Sequence, residues 1–86
     1  MGISVEKLAG GKLLRVEYTN TVKITGDFFL HPEEKIIDIE TFLTQQYAIE
    51  ATELIARLDS FVQTEHIQMI GITPEAIVNN LKKAMQ

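Results

Sequence analysis

The chain has no cysteine and no tryptophan, only two prolines, and eight basic residues against twelve acidic ones in 86 positions. Each shortage removes a class of explanation. Without thiols there are no disulfides, no thiolate metal centres, no persulfide carrier and no Cys nucleophile. The formal charge is −4, and Lys and Arg are scattered, with Lys82-Lys83 the only adjacent pair. A nucleic-acid binder shows a basic footprint, and none is written here. No apolar run approaches the roughly 20 residues that span a bilayer. The opening MGISVEKLAGG lacks the basic and apolar regions of a secretory signal. Glu6 stands where an N-myristoylation start would carry Ser or Thr. The expectation is a cytoplasmic protein that uses neither nucleic acid nor membrane.

What is present suits a small globular fold. The composition is 45% hydrophobic, which argues for a packed core. Eighty-six residues make one domain, 1–86, close to the lower limit for an unaided core. Leu14, Val16 and Tyr18 alternate with Arg15 and Glu17, and Val22 and Ile24 alternate with Lys23 and Thr25. Thr19-Asn20-Thr21 between them reads as a hairpin loop, Asn being able to take a positive φ. Pairing Tyr18 with Val22 sets Val16 against Ile24 and Leu14 against Gly26. It also sets Glu17 against Lys23, so apolar and charge pairing agree on one register. Ile3–Glu6 reads as a third strand, joined through a Gly10-Gly11 turn.

Three helical segments follow. The first is expected from Pro32, with Glu33 and Glu34 in its first turn, where the dipole favours carboxylates. Its apolar set, Ile36, Ile37, Ile39, Phe42 and Leu43, covers more than half the circumference. That width fits a central helix touching both a sheet and another helix, or a helix with one flank turned to another protein. The second carries Ala51, Leu54, Ile55, Leu58, Phe61 and Val62 at i, i+3, i+4, i+7 spacing. The third has Thr73 as N-cap, Pro74 at the first position, and Ile72 placed to pack on Ile77. Residues 64–71 read either as a short strand or as a packed connector. The fold class is therefore α+β: a small antiparallel sheet of two or three strands packed by about three helices.

No self-contained chemistry stands out. His31 and His66 are the only histidines, and nothing puts them at metal-ligand spacing. Gly10-Gly11-Lys12 lacks the second, spaced glycine and the Ser/Thr of a phosphate loop. No nucleophile–base–orienter set is visible, so neither catalytic nor metal residues are assigned. This pattern points to a function exerted together with a partner.

The distinctive stretch is ITGDFFLHPEEKI, residues 24–36, which sets two of the four phenylalanines side by side. If the strand runs on through Phe28, that ring joins Val22 and Ile24 in the core and Phe29 points outward. If the strand stops at Asp27, both rings turn inward around the base of the first helix. An aromatic ring left outside would be an anchor for a partner.

GGKLLRV (10–16) and KITGDFFLHPEEKIIDIETFL (23–43) resemble the C-terminal domain of lipoate–protein ligases, as does GITPE (71–75) with the helix after it. The resemblance covers nearly the whole chain, and its specific part is GDFF-x-x-PEE. It departs from the family in a short Tyr18–Val22 hairpin and in Thr44-Gln45-Gln46, where a Gly often follows the Leu. In some archaea and bacteria this domain is a separate small subunit. The resemblance implies a sheet-and-helix fold of the SufE/NifU type, without the Cys chemistry of those proteins. It implies a non-catalytic accessory subunit that binds the catalytic large subunit. The complex uses ATP, Mg and lipoate to make lipoyl-adenylate, none of them bound by this chain alone. The lipoyl group then passes to a lysine of an acceptor domain, in E2 subunits or the H protein. The candidate partner-binding residues are Gly26, Asp27, Phe28, Phe29 and His31, with Lys12 opposite Phe28 in the proposed register. The alternative is an adaptor on the same scaffold with a non-ligase client.

Overall fold

The computed structural model describes residues 1–86. Five strands and three helices follow in the order β1 (Gly2–Lys7), β2 (Leu13–Tyr18), β3 (Val22–Gly26), β4 (Phe29–His31), α1 (Lys35–Gln46), α2 (Ala51–Thr64), β5 (Gln68–Ile70) and α3 (Pro74–Ala84). Strands β1-β2-β3 form one antiparallel sheet, and β4 and β5 form a second, two-stranded one. The α+β expectation holds, and the β4–β5 pair is an addition that the sequence pattern left open.

The hairpin forms in the register that apolar pairing dictates: Tyr18 opposite Val22, Val16 opposite Ile24, Leu14 opposite Gly26. Asn20 takes the left-handed conformation at φ 75°. Glu17 does lie opposite Lys23, but its carboxylate meets Arg15, two residues back on the same face, at 3.4 Å. Strand β1 pairs with β2 so that Ser4 and Glu6 face inward with Val16 and Leu14, while Ile3 and Val5 face out.

One core joins the layers. Leu14, Val16, Val22 and Ile24 from the sheet meet Ile39 and Leu43 of α1, Leu54, Leu58 and Val62 of α2, and Ile77, Val78 and Leu81 of α3. Helix α3 lies across β1 and β2, α1 lies along β3 and touches β4, and α2 packs on both α3 and α1. The broad apolar arc of α1 is thereby explained from within: it serves a sheet on one side and a helix on the other. Ile37 alone of that set is left largely exposed.

Helix α1 begins three residues later than the Pro-Glu-Glu signal suggests. Lys35, Ile36 and Ile37 donate to the carbonyls of Pro32, Glu33 and Glu34 at 3.1–3.2 Å. These i to i+3 bonds make a tight turn ahead of the helix rather than its first α-turn. Pro32 belongs to that turn through its carbonyl, and the His31–Pro32 peptide is cis. Helix α3 starts as expected, with Thr73 Oγ1 accepting the Ala76 N–H at 3.1 Å. Helix α2 is capped by Glu50, whose carboxylate accepts the N–H groups of Thr52 (3.0 Å) and Glu53 (3.2 Å). These bonds, the Thr52 one first, hold the Glu50 carboxyl below the usual carboxylate range.

Two polar devices tie the layers together. Asn80, with no solvent exposure, accepts from Ser4 Oγ at 2.6 Å and donates to Glu6 Oε1 at 2.7 Å and to the Ala76 carbonyl at 2.9 Å. It is a polar residue inside the apolar stripe of α3, satisfied by the inner face of β1. On the opposite edge, α1 supplies side chains where a fourth strand would sit. Thr44 Oγ1 accepts the Val22 N–H at 2.9 Å, and Glu40 Oε2 accepts the Ile24 N–H at 2.8 Å.

Candidate functional site

The six candidate residues lie around the corner where β3 gives way to β4, but the structure divides them into two groups. Gly26, Asp27 and Phe28 build the corner. A Cβ on Gly26 would run into the Leu13 carbonyl oxygen and the Phe28 ring, so only glycine permits the closeness of the two chains there. Asp27 continues the ladder past the end of β3. Its N–H donates to the Leu13 carbonyl at 3.2 Å, and its Oδ1 accepts the Leu13 N–H. The carboxylate thus replaces a strand carbonyl and satisfies a donor that would otherwise be left at the sheet end. Phe28 is half-buried and packs against the core.

Phe29, His31 and Lys12 are the other group. The chain leaves the first sheet at Asp27 and re-enters extended geometry at Phe29, now paired with β5. Phe29 lies opposite Ile70, Leu30 opposite Met69, and His31 opposite Gln68. Leu30 is buried, whereas Phe29 is 64% and Ile70 50% exposed. Alternation along β4 therefore places Phe29 and His31 on the outer face. Lys12 reaches the same face. Its Nζ lies 5.5 Å from the Phe29 ring centroid, within cation–π range. Its stem passes Gly71, where an added Cβ would sit 3.2 Å from Lys12 Cγ and 3.6 Å from Phe28 Cβ.

Each reading of the Phe pair is met in part: the side-chain directions are those of the first, and the break in the strand is that of the second. The strand does not run through Phe28, yet Phe28 turns in and Phe29 turns out. The break at Asp27 is followed by a new strand in a different sheet, and that second pairing sets the direction of Phe29. Lys12 is not a ladder partner of Phe28, because the strand register ends at Leu14–Gly26 and Asp27 closes the ladder on Leu13 with its N–H and its carboxylate.

Beside Phe29 an open cleft of about 260 Å³ is lined by Ile24, Phe28, Phe29, Leu30 and Ile36, with Glu33 at its rim. It presents an apolar floor and one exposed aromatic wall, suited to receiving a side chain. A larger cleft of about 490 Å³ lies away from this corner, between α1 and α2, where Phe42 and Phe61 stack at 4.7 Å and Arg57 forms one side. Arg57 is already engaged by Glu53 and, at 3.2 Å, by Gln46. No three His, Asp or Glu side chains converge to hold a metal ion. No helix is long and apolar enough to cross a membrane.

Ile70 belongs to the exposed patch and was absent from the sequence candidates. Its only sequence signal is its place just before Gly71 at the end of an ambiguous apolar stretch, and the β4–β5 pairing alone brings it beside Phe29. No family model, no curated protein and no solved structure matches the chain.

Proposed function

We propose that this chain is the accessory subunit of a bipartite lipoate–protein ligase. It binds the catalytic large subunit and enables ATP-dependent activation of lipoate to lipoyl-adenylate, ahead of lipoyl transfer to an acceptor-protein lysine. The reading starts from the resemblance of residues 10–16 and 23–43. The observation that carries it further is the division of labour at the GDFF corner. Gly26, Asp27 and Phe28 have structural work, and Phe29 has none that accounts for a large ring left 64% exposed. Paired with Ile70 and overlain by Lys12, it has the make-up of an interface anchor: an aromatic side chain held at a fixed angle beside an apolar cleft.

In this reading the chain supplies surface rather than a reacting group. An accessory domain accelerates adenylation by ordering the loops of the catalytic subunit and excluding water while the mixed anhydride forms. ATP, Mg and lipoate belong to the catalytic subunit, and the E2 or H-protein acceptor meets the complex through it. The test is to mix the chain with a lipoate–protein ligase large subunit lacking this domain, ATP, Mg and lipoate, and to measure adenylate formation. Acceleration by the chain supports the reading. Equal rates with and without it sink the reading.

A further inference from the structure

The two edges of the three-stranded sheet are treated differently, and the phase of the hydrogen bonds shows how. Val22 and Ile24 send their N–H groups away from β2, to Thr44 and Glu40 of α1. Their neighbours Lys23 and Thr25 therefore bond to Glu17 and Arg15 of β2, since backbone groups alternate sides along a strand. The even-numbered residues of β2 then face β1 and bond to Gly2, Ser4 and Glu6. The bond from the Leu8 N–H to the Lys12 carbonyl, at 2.6 Å, continues the same phase. What remains on the far edge of β1 is the backbone N–H and C=O of Ile3, Val5 and Lys7. No other strand pairs with that edge.

The outer face of this strand is apolar at its centre. Ile3 is 54% and Val5 58% exposed. Of the two charged residues, Glu6 is turned inward to Asn80, and Lys7 lies at the strand end. Neither blocks the middle of the edge.

We propose that β1 pairs antiparallel with β1 of a second copy, making a continuous six-stranded sheet about a two-fold axis that passes beside Ser4. The register follows from the backbone. Only residues whose polar groups point outward can exchange bonds, so odd-numbered residues must face odd-numbered ones. Setting Ile3 against Val5 of the second copy, and Met1 against Lys7 of the second copy, uses every outward-pointing group of residues 1–7. A shift by two residues in either direction loses a pair, and one of those shifts sets Ile3 against Lys7. The side chains agree. Glu17 flanks Ile3 and Arg15 flanks Val5 on the same face. Each row across the axis then reads Glu17, Ile3, Val5, Arg15, the last two from the second copy. Apolar residues meet in the centre of every row, and the charged residues at its ends, Arg15 and Glu17, are already paired within their own chain, so no unpaired charge is carried to the seam. One strand pair buries less than the ~800 Å² per partner of a standard interface, so the dimer dissociates on dilution.

The absence of cysteine makes the test clean. In this register Ser4 faces Ser4 of the second copy as a non-hydrogen-bonded pair, with Cα atoms about 4.5 Å apart, which suits a disulfide. Val5 residues lie off the axis. Ser4 is partly buried and Val5 is exposed, so random collision favours a cross-link at position 5. Under mild air oxidation of the full chain at about 1 mM, the Ser4→Cys protein is expected to form covalent dimer faster than Val5→Cys. Faster cross-linking of Val5→Cys, or none in either, overturns the proposal. Sedimentation of the wild-type chain gives a second reading that does not depend on cysteine variants folding. A dimer at about 1 mM, weakened more than about tenfold by Val5→Lys, supports it. A monomer at that concentration, or a dimer indifferent to Val5→Lys, overturns it.

Discussion

Replacing the two adjacent phenylalanines one at a time separates the structural half of the corner from the exposed half. Phe29 is 64% exposed, so only about a third of its surface is withdrawn from water. Full burial of such a side chain is worth about 1.5–3 kcal/mol, and a third of that is about 0.5–1 kcal/mol. The Lys12 contact at 5.5 Å adds about 0.5–1 kcal/mol at an exposed position. Phe29→Ala should therefore cost about 1–2 kcal/mol, and Phe28→Ala about 3 kcal/mol, because it opens a void against the core. A domain of this size has only about 3–5 kcal/mol in hand, so Phe28→Ala leaves a barely folded chain. Phe28→Leu is the better comparison for binding. Urea unfolding of the three variants measures the stability order. Titration into a lipoate–protein ligase large subunit lacking this domain measures binding, where Phe29→Ala is expected to weaken affinity by at least about thirtyfold. If Phe29→Ala destabilises the chain as much as Phe28→Ala and leaves affinity unchanged, Phe29 is a core residue and the division argued for this corner is wrong.

The remaining expectations concern the scaffold. Gly26→Ala should lose about 1–3 kcal/mol by forcing its methyl against the Leu13 carbonyl and the Phe28 ring, and hydrogen exchange should show the Leu13 amide losing protection first. Unchanged protection would refute the close approach. Asn80→Asp sets a second carboxylate where an amide now donates to Glu6 at 2.7 Å. It should cost about 3 kcal/mol at neutral pH; neighbouring buried carboxylates raise each other's pKa, so one takes a proton as pH falls toward the free carboxylate range and the penalty is gone by about pH 4. A penalty that does not change with pH would mean the two groups do not meet. The Glu50 carboxyl is lowered by the Thr52 and Glu53 N–H groups, so its contribution is present above the unfolded value of about 4.3 and fades as pH falls through the folded one. Glu50→Gln should therefore lower Tm at pH 7, with the gap to wild type closing in acid. A gap that does not narrow as pH falls would assign the effect to something other than charge.

How much of this was legible depended on whether a feature is local. The β2–β3 register could be read because Tyr18, Val16 and Leu14 have only one set of apolar partners within reach of a three-residue loop. The caps of α3 could be read because Thr73 and Pro74 act on their own neighbours. The start of α1 was misplaced because Pro32-Glu33-Glu34 serves equally well as a helix opening and as a tight turn before one, and the β4 pairing decides between them. The β4–β5 sheet joins residues about forty positions apart in strands too short to show a period. Ile70 could not be named beside Phe29 without it. The part played by Asn80 could not be read because its partners, Ser4 and Glu6, lie at the other end of the chain. At the corner itself the six candidates were found together, but their division into builders and exposed residues came only with the direction of each side chain.

Thr44 and Glu40 carry a consequence for the state of the protein in solution. A sheet with two open edges behaves as a bifunctional monomer, and head-to-tail strand addition lets it grow without limit into fibres. Here one end of the would-be polymer is terminated in advance, by a hydroxyl and a carboxylate presented from α1 to the N–H groups of Val22 and Ile24. The three-stranded sheet is left with one open edge, that of β1, so association through that sheet stops at two chains. Thr44→Val with Glu40→Leu would remove the terminator and expose two edge donors, converting a self-limiting pair into a polymerising unit.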